Sequence, residues 1–485
     1  MASLNIVLSS LLLVITIHFS ETYADISHEK RNYDDNYAKV LILGAGASGL
    51  EAAKYFHANG MDDFIIIEGA DYVGGRVHDV PFAGVNVELG ANWAQPGSTG
   101  IVAQVKELAM DVHLSDFDSF IIRNASGFDL TEMSEPRWED LEVAIEKTFV
   151  IAQDIMKNHK PDMSQRAALR LGGWVPRTPL DYAIEYYEYN FEWADIPAVT
   201  SLQSTASLDY ATDVFFIKDQ RGFKYILNHI IGFMQEDPYL NHIRLNQTVI
   251  YIDHSDDDGV TVTCQDGTVY TGDYALVTFG LGAMQEGLVE FNPPLPKWKI
   301  EELSQFIMTS FTKIFLKWPT KFWDDEEWII HANERRGYYP LFLNLEANGL
   351  YPRGTNILVA FLTSDESRRV ERQPDAETKA EIEHLLRSIY GPDAVPDAED
   401  ILISGWNRNS LHRGAYSNWP VEVSVDCFKK IQARVGRLCF GGEHAHEVYN
   451  GYVYGAQLSG EREAKKTTRF IQEQIPRKVS RDCIW

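Results

Sequence analysis

The stretch that most constrains this chain begins at Lys39 and reads KVLILGAGASGLEAAKYFHANGMDDFIIIEGADYVGGR. Its apolar run from Val40 to Leu43 predicts a buried strand. Gly44-Ala-Gly46-Ala-Ser-Gly49 follows, then a helical stretch from Leu50 to Asn59 and a second apolar strand, Phe64 to Ile67, which ends at Glu68. Each residue in this order has a physical task. Gly44 permits a tight turn, Gly46 lets the backbone approach a pyrophosphate, and Gly49 lets helix and strand pack closely, so that the helix amino terminus faces the phosphates. Glu68 at the strand end can accept hydrogen bonds from ribose hydroxyls. A glycine pattern alone is weak. Strand, glycines, helix, strand and acid in register specify a dinucleotide-binding unit.

The chain of 485 residues has the length of roughly three average domains. Its 45% hydrophobic and 24% charged residues suit a globular protein with a large core. A formal net charge of −26 repels nucleic-acid phosphates and favours cationic ligands. Its four cysteines, Cys264, Cys427, Cys439 and Cys483, form no C-x-x-C pair. No metal site is therefore expected, and one or two disulfides stay open.

The nucleotide unit does not separate NAD from FAD, but the residues after it do. Gly74-Gly75-Arg76, Glu88-Leu-Gly-Ala-Asn-Trp93, Phe440-Gly-Gly-Glu-His444 and Tyr449-Asn-Gly-Tyr-Val-Tyr-Gly-Ala456 resemble motifs of the flavin amine oxidase family. Thr200-Ser-Leu-Gln203, Asp219-Gln-Arg-Gly-Phe223, Thr312-Lys-Ile-Phe-Leu-Lys317 and Ser417-Asn-Trp-Pro420 narrow the resemblance to the secreted plant polyamine oxidases. It covers nearly the whole chain after the amino-terminal segment. It implies an α/β fold with a two-dinucleotide-binding, Rossmann-like FAD domain and a discontinuous α+β substrate domain. We assign 38–113, 223–291 and 398–475 to the first, and 114–222 and 292–397 to the second. Within these, Thr248 to Val269 alternates like antiparallel hairpins, and Leu141 to Asn158 has helical spacing.

The resemblance also assigns roles. Lys313 would hold a water beside the flavin N5, which suits a lysine in an otherwise apolar strand only where that strand faces a polar cavity. Trp93, Tyr416 and Tyr452 would wall a substrate tunnel whose aromatic faces favour a cationic amine. Ser48, Glu68, Arg76, Asn92, Trp93, Val249, Trp406, Glu443, Tyr452 and Val453 would hold a noncovalent FAD, since Cys439 does not stand in the tethering sequence of monoamine oxidases. Three positions depart from the secreted grass enzymes. Gln95 and Asp195 stand where those carry glutamates, and Phe311 stands at a tunnel tyrosine. The reaction implied is FAD-dependent oxidation of the carbon beside a secondary amine of spermine or spermidine. The imine hydrolyses to an aminoaldehyde and a shorter amine, and O2 becomes H2O2. The altered carboxylates keep open an oxidase of another amine, such as a monoamine or an N-acetylpolyamine. A flavin-binding protein without amine turnover is the reading from another class.

Ile6 to Phe19 is an apolar run too short to span a bilayer and followed by small and polar residues, as in a secretory signal peptide cleaved near Ala24. No later segment is apolar for long enough to span a membrane. Secretion to the apoplast is expected, with the vacuole as the alternative, because RDCIW matches no ER-retention or peroxisomal signal. Residues 476–485 form a tail. Asn124 and Asn246 then become glycosylation acceptors, and a monomer is the default.

Overall fold

The glycine turn forms where the sequence demands it. The computed structural model describes residues 35–95, 99–206, 214–235 and 241–474. The segment 1–24, Cys483 and the tail lie outside them. Tyr37–Leu43 is a strand, Ala47–Ala58 a helix and Phe64–Ile67 a second strand. Gly44 has a φ of +113°, which glycine adopts without steric cost. A Cβ on Gly49 would lie 2.0 Å from the Gly44 carbonyl oxygen, so helix and turn meet only because that side chain is missing.

Around this unit runs an eight-stranded sheet. Tyr37–Leu43 pairs in parallel with Phe64–Ile67 on one side and with Val269–Val277 on the other. The first half of Val269–Val277 pairs antiparallel with Val260–Cys264, which pairs with Val249–Asp253. Its second half pairs in parallel with Leu438–Phe440. One long strand thus joins the hairpins, the nucleotide unit and the returning carboxyl end. The buried, parallel part is rich in Val, Ile and Leu because both of its faces are covered.

The last helix, Val453–Gln474, packs on Ala47–Ala58. A Cβ on Gly460 would lie 2.0 Å from the Ser48 carbonyl oxygen. Gly460→Ala should therefore separate the helices at a cost of about 1–3 kcal/mol. We expect a lower melting temperature and easier loss of bound cofactor on gel filtration. Unchanged melting would show slack at this crossing.

A second sheet of six strands runs in the order Asp400–Ile403, Phe311–Lys317, Ile357–Thr363, Leu341–Asn344, Trp328–Ala332 and Phe120–Asn124. Asp400–Ile403, which the sequence alone assigns to the nucleotide-binding part, belongs here instead. Four residues on a sheet edge carry no signal of which sheet they join. The helix expected from Leu141 starts at Thr131, because its first turns are largely polar and contain Pro136, so the apolar period is legible only from Leu141 onward. The stretch from Tyr182 to Trp193, crowded with tyrosines, runs from the helix Pro179–Glu185, capped by Thr178, through a π-helical turn, Tyr186–Asn190, into Phe191–Trp193.

Cys264, Cys427 and Cys439 are buried and unpaired. Among the described residues no helix is long and apolar enough to cross a membrane.

Candidate active site

Residues of both sheets line one cavity of about 440 Å³. At one end stand Gly44, Gly46 and Ser48 of the glycine turn, with Glu68 at the end of the second strand. Glu68 accepts from the Ala45 and Ala70 amides at 2.7 and 2.8 Å. Burial raises its pKa and these amides oppose the shift. Gly49 does not line the cavity; its place is the packing contact described above. Arg76 donates through Nη1 to the Ala415 carbonyl at 2.9 Å and to Glu443 Oε1 at 2.8 Å. Glu443 Oε2 accepts from Ser417 and from the Gly451 amide. Burial works against the Glu443 charge, but Arg76 and these donors outweigh it and hold the pKa below the usual range.

Four observations fit this end to a dinucleotide. A Cβ on Gly46 would meet nothing within 4 Å, so backbone approach there is open. Ser48 Oγ, His412 Nε2 and both amide atoms of Asn450 are buried without partners and belong to residues lining the cavity. A buried polar atom left unpaired costs about 1–3 kcal/mol, so a polar ligand that reaches these groups is favoured. Asn92, Val249, Trp406 and Val453 line the same space, and Trp406 is held by its indole N–H donating to the Leu89 carbonyl at 3.0 Å. His412 is a residue for which the sequence gives no signal, whereas Asn450 lies inside the closing motif.

Lys313 stands on the interior strand Phe311–Lys317, second in the six-stranded sheet, and is 3% exposed. Its Nζ donates to the Glu88 carbonyl at 3.0 Å, the Gly90 carbonyl at 2.7 Å and Asn92 Oδ1 at 2.9 Å. It also lies 5.4 Å from the centre of the Trp93 ring. Burial lowers its pKa to about 7, and Glu88 opposes the shift. All three donors are engaged by protein oxygens, so a water at Nζ would have to exchange with one of them. Gly90 and Asn92 both line the cavity where that exchange would occur.

Beyond Lys313 the walls become aromatic. Trp93 meets Phe191 edge to face at 5.8 Å, Phe191 meets Phe311 at 5.9 Å, and Phe311 meets Tyr416 at 6.0 Å. The sequence reading of the acidic residues needs correction here. Asp195 does not line the cavity: its carboxylate accepts from the Ser364 hydroxyl at 3.0 Å and from the Ile196 amide at 2.8 Å. The carboxylate in the tunnel is Glu192, one turn earlier. Tyr452 donates to Glu192 Oε1 at 2.8 Å, Gln95 is hydrogen-bonded to the same carboxylate, and Tyr416 donates to the Glu192 carbonyl at 3.0 Å. Burial raises the Glu192 pKa, against the bonds from Tyr452 and Gln95. A signal for it existed in Phe191-Glu192-Trp193, an acid flanked by two large apolar rings.

The nucleotide end, the buried lysine and the acidic aromatic tunnel together can bind a dinucleotide and bring a cationic amine against it. Comparisons with known proteins agree. The chain is 38% identical over 446 residues to polyamine oxidase 1 of Zea mays, covering 87% of this chain and 88% of that one. It is 38% identical over 448 residues to polyamine oxidase 6 of Oryza sativa subsp. japonica, covering 87% and 89%. A putrescine oxidase structure with bound putrescine superposes with a TM-score of 0.72 at 18% identity, over 89% of this chain and 99% of that one, which shows a shared fold. The model of the flavin containing amine oxidoreductases matches residues 47–467, and the chain belongs to that family, an FAD-dependent amine oxidase.

Proposed function

We propose that this protein is a polyamine oxidase that oxidises the carbon beside a secondary amine of spermine or spermidine. The observation that carries the reading is the Glu192 carboxylate, held by Gln95 and Tyr452 in an aromatic tunnel that leads to Lys313. Ser48, Glu68 and Arg76 would hold FAD, which would supply the two-electron oxidant for that carbon, with O2 as the final electron acceptor and H2O2 as the product. Every other task falls to the chain. Glu192 pairs with one ammonium of the substrate, and the faces of Trp93, Tyr416 and Tyr452 hold the methylene chain and the neighbouring cation. The fixed distance from Glu192 to Lys313 then decides which carbon is presented. Lys313 sets the charge beside the reacting carbon. The substrate imine is hydrolysed to an aminoaldehyde and a shorter amine.

A second reading, oxidation of another amine, draws support from Gln95, which puts a neutral amide beside Glu192. Anaerobic mixing of the yellow protein with spermine, spermidine, N-acetylspermine and tyramine separates the two. Bleaching of the flavin band by the free polyamines, with a shorter amine among the products, is expected. Bleaching only by tyramine or the acetylated amine would select the second reading, and no bleaching would leave a flavin protein without amine turnover.

We further propose secretion, supported by the apolar run Ile6 to Phe19, and a monomeric enzyme. Asn246 is exposed and Asn124 half-buried, so the Asn246 sequon is the better placed for a glycan. In Asn124 the side-chain oxygen accepts from the Ser126 amide and hydroxyl, both at 3.0 Å.

A further inference from the structure

Beside Lys313 lies a second cavity of about 10 Å³, lined by Glu88, Asn92, Lys313 and Tyr351 among apolar residues such as Phe315. It has room for about one water molecule. Glu88 ends the strand Val85–Glu88 and is 4% exposed. Its Oε1 accepts from the Phe223 amide at 2.5 Å, while Oε2 is buried without a partner. Lys313 Nζ donates to the main-chain carbonyl of Glu88 and not to its carboxylate.

The charges around Glu88 can be accounted for one by one. Asp79, on the neighbouring strand, pairs with Lys224 at 3.3 Å and accepts from Asn86 at 2.5 Å. Tyr351 is neutral, because burial and Glu88 push its pKa up, and its hydroxyl donates to the Asn86 carbonyl at 3.0 Å. With Asp79 matched by Lys224, the remaining cation facing Glu88 among the described residues is Lys313. Lys313 in turn has three acceptors around Nζ, which an ammonium satisfies and a neutral amine, with two hydrogens, does not.

We propose that Glu88 is a positioning residue of this site, the buried counter-charge that keeps Lys313 an ammonium beside the reacting carbon. The inference rests on the part given to Lys313 in the proposed oxidation. Burial pushes Glu88 up to about 8 and Lys313 down to about 7, and the attraction between the two opposes both shifts.

The test is the pH profile of flavin bleaching by saturating spermine, measured in stopped flow on the holoenzyme. The limb that disappears in Lys313→Met belongs to Lys313. In Glu88→Gln that limb should move to lower pH by about one to two units, since loss of the negative charge lowers the lysine pKa. The direction is the same whether the step uses the ammonium or the free amine. Glu88→Asp, which withdraws the charge by one methylene, should shift the limb the same way by less. If Glu88→Gln does not yield folded holoenzyme, the Asp variant decides alone. A Lys313-dependent limb that stays in place in these variants overturns the inference and leaves the oxidation intact. A limb that survives Lys313→Met overturns the role of Lys313 itself, and the inference with it.

Discussion

Lys313→Met should retain bound FAD and lose about two to three orders of magnitude in the rate of flavin reduction by polyamine, the range expected when a positioned proton-carrying group is removed. The methionine fills the same volume, so the aromatic wall beside it stays packed. What it removes is Nζ, and with it the donor to the Glu88 and Gly90 carbonyls and to Asn92. Those oxygens are buried, so the variant should also melt at lower temperature. Cofactor retention is expected because Lys313 Nζ makes no bond to Ser48, Glu68 or Arg76, which line the cavity. Anaerobic stopped flow with spermine measures the reduction step apart from reoxidation. A reduction rate equal to that of the unmodified enzyme, with the flavin band intact, removes Lys313 from the chemistry.

The parts legible in the sequence were those whose function depends on neighbours along the chain. The turn from Gly44 to Gly49 is local, and so are the strands that flank it, because phosphate approach and helix packing are set within a dozen residues. Lys313 was legible for another reason: a charged residue in an apolar strand needs an explanation wherever that strand lies. The tunnel was harder. Glu192 and Asp195 are three residues apart, and which of them faces inward depends on the π-helical turn Tyr186–Asn190, which inserts a residue and turns Phe191–Trp193 relative to an ordinary helix. No composition or spacing reveals that insertion. Glu88 was hidden in the same way. In sequence it opens a motif, and only the fold sets its carboxylate beside a lysine 225 residues away. Asp400–Ile403 shows the limit at the level of topology, since its partner strand is chosen by the space left beside Phe311–Lys317.

Glu192→Gln should cost about two orders of magnitude in kcat/KM for spermine and spermidine, as expected when one partner of a desolvated charge pair is removed. The amide keeps an acceptor for Tyr452 at nearly the same volume, so the tunnel should hold its shape. Lost is the negative charge that opposes the substrate ammonium where the aromatic walls exclude water. The loss should fall on KM more than on kcat, because Glu192 grips the polyamine at a distance from the reacting carbon. An amine with a single cationic group should be affected less, which also separates the two substrate readings. The pH dependence has a definite sign. Burial raises the Glu192 pKa, so the carboxylate charge is present above that pKa and is lost as the pH falls through it. Polyamine KM should therefore rise on the acid side in the unmodified enzyme and lose that rise in the Gln variant. Asp195→Asn is the control, since that carboxylate is turned to Ser364 and Ile196; it should change kcat/KM by no more than about twofold, like other partly exposed charges outside a binding site. A larger loss from Asp195→Asn than from Glu192→Gln would return the polyamine grip to Asp195.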